Sequence, residues 1–387
     1  MKILTINGSA DDTFKILIPF FNELQGSYDH SLEFQVRNKK LLKFLQENNW
    51  KCKKIFFPPF ATKNILLTLL SIIFLPLVLI INILKFLIYK NYKKSRVIIL
   101  STCAEKIVFT IPGLLFKKKI IWITMLGEKN KDNKISKKLL KLNSRFAKII
   151  VFTDSEKIRL LKENYQEKLI SVLYFGINTN NHIHQENIFS EIAETKKINN
   201  VKSKFFTVGT ITDLNETSKI EIIFSSIKKC VSIIPNIQFI IIGDGKMRKN
   251  LTWIAKKMEI NNLVWFVGKQ QHQRKWLDGF DSMVMTSKQL DLKEIKTISK
   301  AMSAGIPVIA PYNVGLEYLI DDNKNGILID TNNSDNIAAQ IIRIQQNKHL
   351  RNQLNISAKE TIDNYFKLDK MVKNFNKILY EKNNNNN

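Results

Sequence analysis

Short, wholly apolar runs rich in Ile, Val and Phe recur along the chain, and most of them give way to a small or polar residue and then to apolar positions three and four apart. That alternation predicts strands feeding helices, in parallel sheets covered on both faces. In the first half the predicted strands are Met1–Asn7, ending at Gly8-Ser9, then KCKKIFFPPF, RVIILST, KKIIWITML, KIIVFTD and LISVLYFGIN. Helical spacing covers Asp12–Leu24 and KKLLKFLQENN. In the second half the strands are KFFTVGT, QFIIIGD, NNLVWFVGK, DSMVMTS, GIPVIAP and NGILID. The helices SDNIAAQIIRIQQN, KHLRNQLNISAKETIDNYF and LDKMVKNFNKILYEK follow, and the chain ends in five Asn. Between the halves, Thr179–Lys204 is polar and without a period, as a linker is.

The pattern predicts an α/β protein of two Rossmann-like, doubly wound domains. The expected boundaries are an N-terminal domain at 1–180, a linker at 181–203 and a C-terminal domain at 204–365. A last helix with a disordered Asn tail takes 366–387. A length of 387 residues suits two cores.

One stretch departs from the alternation. Asn64–Leu84 is a run of 21 uncharged residues, long enough to span a bilayer, and Lys85, Lys90, Lys93, Lys94 and Arg96 follow it. A single span would put two strands of one sheet on opposite sides of a membrane. The readings compatible with the sheet are a buried crossover helix, a monotopic helix on the lipid surface, and a hairpin broken at Pro76. The monotopic reading, over 64–88, is the preferred one. KISKKLLKLNSRFAK adds to it: Ile135, Leu139, Leu142 and Phe146 form one stripe, with Lys137, Lys138, Lys141, Arg145 and Lys148 beside it. The other reading of that stripe is an ordinary helix packed on the sheet.

Charge changes the picture further. The chain carries 60 Lys and Arg against 34 Asp and Glu, a net +26. Such a field draws anionic lipid, phosphorylated substrates or nucleic acid. Abundant Lys, Asn and Ile also mark AT-rich coding, to which part of the excess belongs. No aromatic-basic patch or nucleic-acid motif accompanies the charge, so no nucleic-acid partner is expected. The 3 cysteines are widely spaced, which excludes a zinc or disulfide framework and predicts free thiols. MKILTING opens on a strand pattern and lacks a signal-peptide layout.

Candidate chemistry gathers where strands end. Gly243, Asp244 and Gly245 stand between a strand and a helix, where glycine permits a tight turn or a close backbone approach. Val267-Gly268 closes the next strand, Asp281 and Ser287 bracket the one after it, and Gly305, Pro307, Gly315, Glu317 and Gly326 punctuate the remainder. The order and wording of these motifs over 203–331 resemble the nucleotide-sugar half of the retaining, family-four glycosyltransferases with the GT-B fold. The first half matches in outline, best at VFTDSEKIRLL and YFGIN.

The resemblance implies two domains facing across a cleft. It implies metal-free, cofactor-free transfer of a hexose-type sugar, with retention, from a nucleotide sugar donor to a glycan or lipid-linked acceptor. With the apolar segment it implies work at the cytoplasmic membrane face. The donor-binding residues it implies are Gly209, Thr210, Lys219, Gly243, Asp244, Gly245, Val267, Gly268, Ser287, Glu294 and Lys300. Those on the acceptor side are Gly8, Ser9, Leu126 and Gly127. The chain departs from the family at several of these positions. Thr210 stands where the family has Arg, and Asn215 or Thr217 where it has Lys, with Lys219 close by. Leu292 and Lys300 replace two Glu spaced eight apart, and Asp291 or Glu294 takes the first role after a small shift. Leu126 stands where a His often follows the strand, and the glycine-rich loop after strand one is reduced to Gly8-Ser9-Ala10. Lys300 cannot accept ribose hydrogen bonds, so it meets a donor phosphate or carboxylate, or is a solvated lysine. These replacements leave two readings: an altered donor mode, or a non-catalytic relative that serves as a binding or scaffold subunit.

Overall fold

The protein is described by a computed structural model over residues 1–8, 13–55, 73–124, 134–179, 205–270, 273–287, 291–312 and 315–381. Its chain divides into two units, Gly176–Lys367 and the remainder.

In the first unit, β1 (Lys2–Asn7), β2 (Ser31–Val36), β3 (Cys52–Lys54), β4 (Val97–Leu100), β5 (Lys119–Ile123), β6 (Lys148–Val151) and β7 (Ile170–Val172) form a parallel sheet in the order β3-β2-β1-β4-β5-β6-β7. The strand sequences are almost continuously apolar because helices cover both faces. β2 is a strand that the apolar pattern does not announce, since Glu33 and Gln35 interrupt it. Both are buried, and both are paired: Glu33 with Lys2 at 3.0 Å, Gln35 with the Tyr92 hydroxyl. The first helix also starts later than its spacing predicts. Thr13–Leu17 is a 3-10 turn, and the α-helix is Ile18–Tyr28, with a proline in its first turn where no N–H partner is needed. The helix Leu368–Tyr380 closes this unit. Phe375 meets Phe20 edge-on with ring centroids 5.1 Å apart, and Asn376 bonds His30 at 3.0 Å.

Of the long apolar segment, the helix Leu75–Ile88 is described; residues 64–72 of the run lie outside the described residues. Pro76 sits in the first turn of this helix and so begins it rather than breaking it. Its buried positions are Asn82 and Phe86, the latter stacked on Phe116. The fully buried crossover reading therefore fails for this helix. Among the described residues no helix is long and apolar enough to cross a membrane.

In the second unit, β8 (Phe206–Ile211), β9 (Ile237–Ile242), β10 (Val264–Gly268), β11 (Ser282–Val284), β12 (Val308–Pro311) and β13 (Ile327–Ile329) form a parallel sheet in the order β10-β9-β8-β11-β12-β13. The helices Ile220–Cys230 and Ser334–Gln346 pack on one another and share a core with β8 and β9 through Ile223, Phe224, Phe239 and Ile341. The α/β class and the two doubly wound sheets expected from the alternation are both present.

Candidate functional site

In each sheet the chain reverses direction of travel at one point: between β1 and β4 in the first, and between β8 and β11 in the second. Loops leaving the carboxyl ends of such neighbours diverge, and the gap between them is where doubly wound sheets take ligands.

At the second switch point the loops are tied together by backbone. Thr212 donates to the Ile242 carbonyl at 3.0 Å, Leu214 to that of Asp244 at 3.2 Å, and Met247 to that of Leu214 at 3.1 Å. The Gly243 N–H donates to the Gly268 carbonyl at 2.9 Å. The two glycines of Gly243-Asp244-Gly245 serve this knitting. A Cβ on Gly243, whose φ is +147°, would lie 1.8 Å from the Thr212 carbonyl oxygen, and one on Gly245 2.2 Å from that of Leu214. The close approach that glycine permits here is to the neighbouring loop.

On the other side of the gap stands the helix Leu292–Ser303, which follows β11. Asp291 caps it, accepting from the Glu294 N–H at 2.9 Å, and Glu294 returns the bond to the Asp291 N–H at 3.2 Å. Burial pushes the Glu294 carboxyl up to about 7; the Ser287 hydroxyl bonded to it pulls the other way, and Asp291 adds to the rise. Lys293 reaches across the gap to Asp213 at 2.5 Å, and Thr286 donates to the Ser218 carbonyl, so the β8 and β11 loops are pinned to each other.

Further along the same helix, one turn apart, lie Lys296 and Lys300. Both are partly buried. Burial pulls Lys296 down to about 8, with Lys300 adding to the fall, and burial lowers Lys300 too. The Lys300 ammonium lies 3.5 Å from Gln273 Oε1, on the helix Gln273–Leu277.

Several sequence-derived positions lie elsewhere than at a loop. Gly209 and Thr210 are inside β8, both buried; Gly209 faces the Phe280 ring, 2.0 Å from where a Cβ would sit. Leu292 is buried as well. Lys219 takes a left-handed conformation at the start of the helix Ile220–Cys230, and its ammonium bonds Asn332 at 3.1 Å. Gly268 ends β10 with φ +74°, and the Val267 carbonyl accepts from Gln270. On the first sheet, the Gly8 N–H donates at 2.7 Å to Glu105, a fully buried carboxylate that also accepts from Ser101 and Thr102 by backbone and hydroxyl alike. Burial raises the Glu105 pKa, and these donors oppose the rise. Ser9, Leu126 and Gly127 lie outside the described residues. Glu105 and Lys296 are the residues that motif reading passes over. The Thr102-x-x-Glu105 spacing is a capping-box signal, and Lys296–Lys300 is an i,i+4 pair, so both were open to detection. Among the described residues, no three His, Cys, Asp or Glu side chains gather as metal ligands.

Residues 191–361 match the family described as Glycosyl transferases group 1. The matched segment lies within the second unit. The chain is 26% identical over 159 residues to the lipopolysaccharide core biosynthesis glycosyltransferase LpsE of Rhizobium meliloti, covering 41% of this chain and 46% of that protein. It is 32% identical over 184 residues to the poly(ribitol-phosphate) alpha-N-acetylglucosaminyltransferase of Staphylococcus aureus, covering 46% of this chain and 36% of that one. These matches thus span less than half the length of either relative. In fold, the chain resembles Anabaena Alr3699/HepE, solved in complex with UDP, with a TM-score of 0.79, 17% identity, and coverage of 99% of this chain and 100% of that one. A glycosyltransferase from Rickettsia africae gives the same TM-score of 0.79 at 14% identity, covering 98% and 99%. The glycosyl transferases group 1 segment thus holds the β8–β11 switch point, and the architecture is GT-B.

Proposed function

We propose that the chain is a glycosyltransferase that moves a sugar from a nucleoside diphosphate donor to a glycan or lipid-linked acceptor, working with retention at an anionic membrane surface. The observation that carries the reading is the β8–β11 switch point inside the matched segment, where residues 212–219 and 285–287 are tied by the Thr286–Ser218 hydrogen bond beside a capped helix. A departing nucleoside diphosphate gains negative charge, and N–H groups and cations at such an edge stabilise it. The names of the relatives support a glycan acceptor, and the UDP of Alr3699/HepE supports a nucleotide donor.

The membrane part rests on three helices of the first unit that pack side by side: Leu75–Ile88, Cys103–Leu115 and Lys134–Ser144. Leu77, Ile80, Ile81, Leu84, Leu87 and Ile88 are exposed on the first, and Ile111, Leu114 and Leu115 on the second. On the third, Ser136, Leu140 and Asn143 are buried, while Ile135 and Leu142, with Phe146 just beyond its end, stay 39–46% exposed. Lys134, Lys137, Lys138 and Lys141 of the third helix are exposed as well, and an anionic bilayer attracts such charge.

A second reading, a non-catalytic relative, is favoured by the burial of Thr210 and Leu292 where the family resemblance expects charge. One experiment separates the two. Purified protein is screened by thermal shift against nucleoside diphosphates, then assayed for sugar transfer to lipid-linked acceptors. Binding with turnover supports the transferase; binding without turnover on any acceptor supports the relative; no stabilisation by any nucleotide sinks the donor reading.

A further inference from the structure

The helix Leu292–Ser303 carries an arrangement that the fold alone does not explain. Lys296 and Lys300 are four residues apart, so they share one face, and both are partly withdrawn from water. Two ammonium groups so placed repel each other and forgo hydration. A carboxylate would offset this, yet among the described residues neither lysine has one within ion-pair distance. The neighbour across from Lys300 is the neutral amide of Gln273, at 3.5 Å. Arg274, the next residue on that helix, bonds Ser303 at 3.2 Å, which holds the two helices together around the pair. The acids of this region are committed elsewhere: Asp213 to Lys293, Asp278 to Arg274, and Glu294 to the helix cap. What the arrangement lacks is an anion.

We propose that Lys296 and Lys300 form a two-lysine clamp that binds the diphosphate of the nucleotide donor from the helix side of the β8–β11 gap. This rests on the donor reading above and deepens it. In this chain the positive charge opposite the phosphates is carried by the helix after β11, while the loop after β8 gives Lys219 to Asn332 and Asp213 to Lys293. Gln273 supplies a side-chain amide beside the same phosphates, and the lysine stems cover the helix face.

The test is titration calorimetry on the full chain and on Lys296→Gln, Lys300→Gln and the double variant. The probes are UDP, GDP, ADP, CDP and dTDP, the matching nucleosides, UDP-glucose and UDP-glucuronate, and inorganic pyrophosphate. Each single variant should weaken the best diphosphate by about tenfold and the double by about a hundredfold, with the nucleoside unaffected. Removing a repelling cation should leave the melting temperature unchanged or higher. Equal diphosphate affinity in all four proteins overturns the clamp. Loss confined to nucleotide sugars bearing a carboxylate overturns it too, because the lysines would then read the sugar. Variants that melt lower than the parent assign the pair a structural role and overturn it. If the parent binds no nucleoside diphosphate but binds pyrophosphate through these lysines, the clamp stands and the donor reading falls.

Discussion

Glu294 offers a direct measure of how the switch point is wired. Its folded-state pKa, about 7 against an ordinary 4.5, means that the native protein holds a proton there which the unfolded chain has already released. Between pH 4.5 and about 7 the native state therefore binds more protons, and stability falls as pH rises through that window; above it the loss is complete and constant. At roughly 1.4 kcal/mol for each pH unit between the two values, the loss is bounded at about 3 kcal/mol. Some solvent reaches the group, so about 1–3 kcal/mol is expected. Glu294→Gln removes the charge and keeps the cap, since glutamine also serves at this position of a capping box. Urea unfolding, followed through Trp253, Trp265 and Trp276, should give parent and variant nearly equal stability at pH 4.5. The variant should gain progressively to about 1–3 kcal/mol by pH 8. The lowered Lys296 works in the opposite sense and at higher pH, with stability recovering only above about 8, so it cancels in the difference between the two proteins. A difference that does not change with pH, or a variant less stable at pH 8, would refute the reasoning.

Three further outcomes are expected. Gly243→Ala drives a methyl into the Thr212 carbonyl at a φ that disfavours side chains, and should destabilise the second unit by more than about 3 kcal/mol in chemical denaturation. Glu105→Ala strands the buried donors of Gly8, Ser101 and Thr102 and should cost about 3 kcal/mol, lowering the first unit's melting temperature by roughly 6–12 °C; a fall under 2 °C would show that water replaces the carboxylate. Leu84→Asp with Leu115→Asp should abolish sedimentation with phosphatidylserine vesicles at low salt while leaving soluble circular dichroism unchanged; sedimentation equal to the parent's would place the lipid contact elsewhere.

Most of the architecture was legible before folding. Runs dominated by apolar and β-branched residues suit a parallel sheet covered on both faces, so β4, β5, β6, β8 and β9 announce themselves, and so does their alternation with helices. Local chemistry is written in adjacent residues too, but with more than one meaning: a proline breaks a helix or opens one, and Pro76 opens Leu75–Ile88; an acidic residue holds a ligand or caps a helix, and Asp291 with Glu294 caps Leu292–Ser303. What lay beyond local reading were the contacts between residues distant in sequence. β2 forms although Glu33 and Gln35 break its pattern, because Lys2 and Tyr92 arrive from other elements to pair them. The stripe Ile135–Leu139–Leu142–Phe146 reads equally as a lipid-facing or a core-facing one, and only the fold shows that Ser136, Leu140 and Asn143 are the residues packed inward. The glycines of the β9 loop make room for two neighbouring carbonyls, and Gly209 for a phenylalanine ring. Periodicity records how apolar each position is and which residues share a face. Which face is buried, and which buried charge finds a partner, depends on surfaces brought together only by the tertiary fold, and there the polar groups must be satisfied or pay in desolvation.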